Sequence, residues 1–303
     1  MIPAWSPKEP SQCPWSRNTL RKVGKALTSD EPWPEGLPTF EDVSLWYQEI
    51  VGFVQATLYH LDLSSVIGDI EVTINGRTKT HGTLKEKLIR EKSVPLHNIQ
   101  DVAGVRFEAD MTLSQQSGVV TQIGDHFRAI GWRANTKDYR TEPGHANYRA
   151  VHIRLERESD KARAEIQIRT RLQGLWANVY EKLADAFGRE IRYGLLPDDA
   201  EQRELIIDWQ DKSLDIVFEA EASEEIIELA GKQILELDKE LQSELIKLGF
   251  SERNEITERL DQDRLKRGTY KQNLMEQRIE IGNALEEVFD TLSGLLSRQE
   301  GKE

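Results

Sequence analysis

Tyr148-Arg149-Ala150-Val151-His152-Ile153-Arg154-Leu155, followed after the polar segment Glu156 to Lys161 by Ala162-Arg163-Ala164-Glu165-Ile166-Gln167-Ile168, is the stretch that decides the fold. Successive side chains of a strand point to opposite faces, so alternation of polar and apolar residues marks a half-buried strand. In the second run Glu165, Gln167 and Arg169 share one face, and Ile166 and Ile168 share the other. In the first, Tyr148, Ala150 and His152 fall together. Two alternating runs joined by a short polar connection predict a β-hairpin.

The pattern extends in both directions. Ile70, Val72 and Ile74 alternate as a strand that Asn75-Gly76 is expected to end with a turn. Thr83 to Lys92 reads as a short helix, Val102 to Glu108 as a strand, and a Ser114-capped helix runs to about Ile130. Arg133 to Asp138 is a further strand, and Tyr139 to Asn147, with Pro143-Gly144, a loop. Arg171 to Phe187 returns to helix, closed by Gly188. Upstream, Phe40, Val43, Trp46, Tyr47, Ile50 and Val54 recur at helical spacing between Thr39 and His60. Leu20, Val23 and Leu27 lie on one face of a helix within Ser16 to Leu27, with Arg17, Arg21, Lys22 and Lys25 over the rest. Strands and helices interleave, which predicts an α/β domain. After Pro197 no strand pattern is found. Ile227, Ala230, Ile234, Leu237, Leu241 and Leu248 repeat at heptad-like spacing, with breaks at Gly249 and Gly268, so this region is expected to be all-helical. The expected division is 1–68, an N-terminal helical segment, 69–196, the core, and 197–303, an acidic helical region.

The 303 residues suffice for one large or two modest domains. The formal net charge of −13 is uneven: residues 197–303 hold 28 acidic and 14 basic side chains, whereas residues 1–196 are almost balanced. No apolar run approaches the roughly 20 residues that span a bilayer, and Met1 to Pro14 does not read as an export signal. A lone cysteine, Cys13, excludes an intrachain disulfide framework and a cysteine-rich zinc site. A cytoplasmic protein without a membrane partner is expected.

The chemistry-bearing residues come in four groups. Arg77-Thr78-Lys79 is followed by Lys87 and Arg90, which share a helix face and can gather around a polyphosphate. Asp101-Val102-Ala103-Gly104-Val105-Arg106 sets a carboxylate before a strand and an arginine within it. Tyr148 to His152 and Glu165 to Arg169 supply aromatic, imidazole, carboxylate and guanidinium groups on single strand faces. Each group alone also fits a structural role: a solvated helix face, a turn residue, a core histidine or a surface ion-pair ladder of little energetic weight. Their coincidence on the alternating strands of one domain points to a site.

In order and spacing, Arg77-x-Lys79…Lys87, Asp101-x-x-Gly104-x-Arg106, Tyr148-x-x-x-His152 and Glu165-Ile166-Gln167-Ile168-Arg169-Thr170 resemble the synthetase domain of the RelA/SpoT alarmone synthetases over about Ile70 to Tyr193. The resemblance implies a nucleotidyltransferase-like mixed sheet flanked by helices, and transfer of the β,γ-diphosphate of ATP to a ribose 3′-hydroxyl. It implies that Arg77 and Arg106 sandwich the adenine, a stacking role lysine does not fill. Lys79, Lys87 and Arg90 would hold phosphates, and Asp101 and Glu165 would share Mg2+. Catalysis would rest on Glu165, Asp101 and Lys79, with Glu165 drawing the proton from the attacking hydroxyl. Tyr148 would stack on the acceptor base, and His152, Gln167, Arg169 and Lys137 would position the acceptor.

One departure bears on the acceptor. Gly144, in Glu142-Pro143-Gly144-His145-Ala146-Asn147, stands where that family carries a lysine for the 5′-phosphates of GDP or GTP. The Ser16 to Leu27 segment is similar to the lead helix of the toxic small alarmone synthetases, which implies the 3′-CCA end of tRNA as acceptor. Arg17, Arg21, Lys22 and Lys25 would then contact RNA phosphates. Two alternatives stand beside this translation-inhibiting toxin: a (p)ppGpp-type synthetase using GDP, GTP or GMP, and a catalytically idle sensor or binding module. The acidic C-terminal region is expected to serve oligomerisation, self-inhibition, or contact with an antitoxin or phage-derived regulator, as in phage-defence loci.

Overall fold

The computed structural model describes residues 7–141, 148–160 and 162–245, with isolated positions at 262, 265, 266, 272, 276, 280 and 283. The chain divides into two compact units, residues 1–144 with 148–171, and residues 172–303 with 145–147.

The first unit is built on a five-stranded sheet of β1 (Val72–Thr78), β2 (Ala103–Ala109), β3 (Trp132–Asp138), β4 (Val151–Arg157) and β5 (Arg163–Thr170). Their spatial order is β1-β2-β5-β4-β3. β1 and β2 are antiparallel, β2 and β5 parallel, and β5, β4 and β3 successively antiparallel. This is the mixed sheet flanked by helices that the resemblance implies, and β4 and β5 form the expected hairpin. α1 (Arg17–Thr28), α2 (Phe40–His60), α3 (Ser64–Ile67), α4 (His81–Arg90) and α5 (Leu113–Ala129) complete the unit. α2 packs on β1 and β2, α5 on β3, β4 and β5, and α1 on α4 and the 3-10 turn Leu96–Asn98.

Local chemistry sets the helix starts. Thr39 and Asp42 make a reciprocal capping box at α2, and Ser16 and Thr80 cap α1 and α4 through their hydroxyls. At α5 the cap is Thr112 and not the expected Ser114, because Gln115 at the third helical position returns a bond to the Thr112 amide. The sheet face turned to α2 and α5 is apolar: Ile74, Val105, Phe107, Ile153, Leu155, Ile166 and Ile168 are all buried there with Ile50, Val54, Ile123 and Phe127.

Asn75-Gly76 does not end β1. The strand runs on to Thr78, with Asn75 opposite Arg106 and Gly76 opposite Val105. Gly76 serves contact with α2: a Cβ there would lie 2.5 Å from Val51 Cγ1 and 2.6 Å from Gln55 Cδ. The dipeptide looks like a turn but answers a packing constraint.

The second unit contains α6 (Arg171–Phe187), the 3-10 segment Arg189–Tyr193 and α7 (Ala200–Leu245). Gly188 closes α6 at φ 111°, a left-handed value suited to glycine. Trp176, Tyr180 and Trp209 stack with ring centroids 5.0 to 6.0 Å apart, and the Trp176 indole N–H donates to Ser213 Oγ at 2.9 Å. Gln173 donates to the buried Glu221 carboxylate at 2.7 Å. Ile227, Ala230, Ile234, Leu237 and Leu241 lie within α7. Leu248, Gly249, Gly268 and the Glu142–Asn147 loop fall outside the described residues. No helix among those described is long and apolar enough to cross a membrane.

Candidate active site

The other face of the sheet carries the charges. Register fixes who shares it: Asn75 and Arg77 on β1; Gly104, Arg106 and Glu108 on β2; Glu165, Gln167 and Arg169 on β5; His152 and Arg154 on β4; Asn135 and Lys137 on β3. Seven of the expected site residues therefore come from five strands to one surface, Arg77, Arg106, Lys137, His152, Glu165, Gln167 and Arg169, and Tyr148 stands just ahead of β4 against His152 and Arg169.

Arg77, Gly104 and Glu165 are aligned across β1, β2 and β5. Gly104 has no side chain, so a trough runs between the guanidinium of Arg77 and the carboxylate of Glu165. Arg77 is exposed and has no partner among the described residues. Arg106 sits one diagonal step away on the next strand, where side chains stand about 7–8 Å apart.

At the end of the trough, just ahead of β2, Asp101 is 2.9 Å from Lys79 Nζ and 2.7 Å from Lys87 Nζ. Lys79 is fixed by its amide, which donates to the Val102 carbonyl at 3.0 Å. Burial alone would raise the Asp101 pKa, but the two ammonium groups outweigh it and hold the carboxyl below its ordinary range. Lys87 is likewise half-buried, yet Asp101, Glu91 and Glu165 keep its pKa above the usual value. Arg90, one turn beyond Lys87 on α4, is 3.6 Å from Glu91 rather than beside Asp101.

Glu165 is buried on the face, 3.2 Å from His152 Nδ1 and 3.7 Å from Arg154 Nε. Burial and the negative charge of Asp101 push its pKa up, while His152 and Arg154 pull it down, and the net effect is a depressed value. Both carboxylates are thus held ionised. His152 turns its other nitrogen, Nε2, to the Tyr148 hydroxyl at 2.9 Å, and Arg169 Nη2 donates to the same hydroxyl at 3.0 Å and to Gln167 Oε1 at 2.9 Å. The Arg169 guanidinium lies 5.3 Å from the Tyr148 ring centroid and 3.7 Å from Glu108, so this buried arginine orients the tyrosine. Burial raises the Tyr148 pKa despite Arg169 beside it.

Two residues of this surface escaped the sequence reading. Tyr139, just past β3, meets the His152 ring edge-on at 4.7 Å and the Tyr148 ring at 5.7 Å. Arg154 places Nη2 3.4 Å from the Tyr139 hydroxyl. Arg154 was legible as the residue two beyond His152 on the same face. Tyr139 was not, because it lies in a loop whose partners are set only by the β3–β4 pairing.

Among the described residues no cluster of three or more His, Cys, Asp or Glu side chains is arranged to hold a metal. Mg2+ takes only one or two protein carboxylates and completes its shell with water and phosphate oxygens. Asp101 and Glu165 are hard oxygen donors, ionised and close enough to influence each other's charge, so they fit that ion.

Arg17, Arg21, Lys22 and Lys25 are all exposed on α1. Arg21 donates to Asn18 at 2.7 Å. Burial, and then the charges of Arg17, Arg163 and Arg21, lower the His97 pKa, and α1 packs against the turn that carries His97.

Residues 76–184 match the model of a region found in RelA/SpoT proteins. The uncharacterized proteins Rv1366 of Mycobacterium tuberculosis and Mb1401 of Mycobacterium bovis are each 40% identical over 213 residues, spanning 68% of this chain and 75% of theirs. The small alarmone synthetase 1 of Bacillus subtilis bound to pppGpp aligns with 64% of this chain and 98% of its own, at 21% identity and a TM-score of 0.48. A GTP pyrophosphokinase family protein from Streptococcus pneumoniae aligns with 64% and 97%, at 23% identity and a TM-score of 0.48. With Arg77, Asp101, Tyr148 and Glu165 all inside its matched region, the chain belongs to the RelA/SpoT family.

Proposed function

We propose that the protein transfers the β,γ-diphosphate of ATP to a ribose 3′-hydroxyl, with the 3′ end of tRNA as acceptor. The observation that carries this reading is the convergence of Arg77, Gly104, Glu165 and the Lys79–Asp101–Lys87 group along one trough. Arg77 and Arg106 bracket the adenine, and Lys79 and Lys87 lie where the phosphates extend. Asp101 and Glu165 would hold Mg2+, which, when bound, neutralises phosphate oxygens. Tyr148 and Tyr139 provide aromatic surface for the acceptor base, and Glu165 receives the proton of the 3′-hydroxyl. The ribose oxygen forms a bond to the β-phosphorus, the bond from that phosphorus to the α,β-bridging oxygen breaks, and AMP leaves with the electron pair. The protein contributes alignment and charge neutralisation more than covalent chemistry.

A depressed pKa makes Glu165 a modest base. This suits a transition state in which the bond to the leaving group is largely broken before the hydroxyl loses its proton.

The exposed cations of α1, Arg17, Arg21, Lys22 and Lys25, favour RNA as acceptor. A row of exposed positive charge on one helix suits a phosphodiester chain. A guanosine nucleotide is the other acceptor compatible with the aromatic surface. The test is ATP labelled at the γ-phosphate, offered with tRNA and with GDP, GTP and GMP in parallel. Label on tRNA that falls when Arg17, Arg21, Lys22 and Lys25 are all changed to Ala supports the RNA reading. Label confined to guanosine nucleotides, at a rate the quadruple change leaves intact, assigns the chain as an alarmone synthetase instead.

A further inference from the structure

The arginines of this unit differ in how fully their donors are used. Arg157, on the core face of β4, donates to the carbonyls of Pro10 and Ser11 at 2.7 and 2.8 Å and to Asp160 at 2.9 and 2.6 Å. Its guanidinium also lies 5.6 Å from the Trp132 ring. Arg140 bonds Asp138, the Leu113 carbonyl, Gln116 and Ser117. Both are clamps, saturated by the protein itself.

Arg154, three residues before Arg157 and on the opposite face, is not. Its interactions among the described residues are the 3.7 Å approach to Glu165 and the 3.4 Å contact to the Tyr139 hydroxyl. Its Nε is buried without a hydrogen bond, while the side chain as a whole is 42% exposed. An arginine offers five N–H donors in a planar fork matched to carboxylate or phosphate. These two contacts leave most of the fork's donors unused by the protein itself.

Its surroundings define what would fill the fork. Lys137 Nζ is 5.8 Å from the centroid of the Tyr139 ring, on the strand beside Arg154. Two cations thus flank Tyr139, whose ring adjoins Tyr148 and His152, while Glu165 stands on the other side of Arg154. A ligand with a base against the aromatic rings and a hydroxyl at Glu165 would carry its nearest anionic group to this pair.

We propose that Arg154 and Lys137, beside Tyr139, form a phosphate subsite for the acceptor, holding the phosphate on the 5′ side of the ribose that reacts. The inference rests on the diphosphotransferase reading and adds a specificity-determining residue to it. The phosphate has two sources: the last phosphodiester of an RNA 3′ end, or the 5′-phosphate of a free guanosine nucleotide.

The experiment compares acceptors with and without that phosphate, a CCA trinucleotide against adenosine and GDP against guanosine, in wild type, Arg154→Met, Arg154→Lys and Lys137→Met. Wild type is expected to prefer the phosphate-bearing member of whichever pair it uses. Arg154→Met is expected to raise the KM for that member about 10- to 100-fold, leave its kcat and the KM for ATP within about two-fold, and erase the preference. Arg154→Lys is expected to recover part of it. The pair that shows the effect identifies the source of the phosphate. If Arg154→Met lowers kcat equally for acceptors with and without phosphate, the residue acts through Glu165 and the subsite is wrong. Equilibrium binding of the same four compounds to the folded variants is measured alongside. Phosphate-dependent binding lost in Arg154→Met and in Lys137→Met upholds the subsite even if wild type transfers no diphosphate. Equal binding by all variants overturns it even if transfer is robust.

Discussion

The two faces of the five-stranded sheet share a backbone but follow different rules. On one, Val105, Phe107, Ile153, Leu155, Ile166 and Ile168 are sealed against α2 and α5. On the other, the intervening residues Arg106, Glu108, His152, Arg154, Glu165, Gln167 and Arg169 bring charge into a half-buried setting that a core would not tolerate unpaired. The glycines make the same contrast. Gly76 is small because α2 occupies the place of its Cβ, whereas at Gly104 the nearest atom to an added Cβ would be the Arg77 carbonyl oxygen at an ordinary 3.7 Å. One glycine is required by packing; the other leaves room for something that is not protein. The comparison teaches that one face is sealed for folding while the other leaves its charges open, as the proposed site requires.

That division breaks if substitutions on the two faces give the same kind of defect. The largest effects are expected from Phe107→Ala and Glu165→Gln. The first removes a fully buried ring and should cost about 3–5 kcal/mol in denaturant unfolding. The second should cut diphosphate transfer by about 10²- to 10⁴-fold with the fold retained by circular dichroism. Asp101→Asn, which strips Lys79 and Lys87 of their shared carboxylate, should cost about 1–3 kcal/mol at neutral pH. Its pH dependence has a definite sign. The folded-state pKa of Asp101 is depressed, so the stabilisation is present above the ordinary carboxylate pKa and is lost as pH falls through the depressed value. Urea titrations should show wild type and Asp101→Asn separated at pH 7 and converging in acid; a constant gap would remove the ion-pair explanation. Gly76→Ala, which forces Val51 and Gln55 aside, should cost about 1–3 kcal/mol. The smallest expected change in stability is at Gly104→Ala, within about 1 kcal/mol. There the defect should appear in the KM for ATP, because the new methyl enters the trough.

Much of this was legible in the chain. A strand was expected at each of the five positions, though the first was ended short of Thr78, and the charged face of the alternating strands pointed to the open side before any pairing was known. What was not legible depended on pairing and packing. Asn75-Gly76 carries the composition of a turn, and only contact with α2 reveals a strand glycine. Ser114 and Thr112 are both capping residues, and the choice rests on the reciprocal bond from Gln115. Lys87 and Arg90 lie one turn apart on α4, but only Lys87 reaches Asp101. Tyr139 gains its partners solely because β3 lies beside β4.

The most direct test of the open face as a diphosphate-transfer site is the product balance when ATP labelled at the γ-phosphate is consumed in the presence of tRNA and guanosine nucleotides. The account predicts one AMP for each labelled diphosphate recovered on an acceptor ribose, with both products lost in Glu165→Gln. Labelled orthophosphate accompanied by ADP, or equal transfer by wild type and Glu165→Gln, would contradict it.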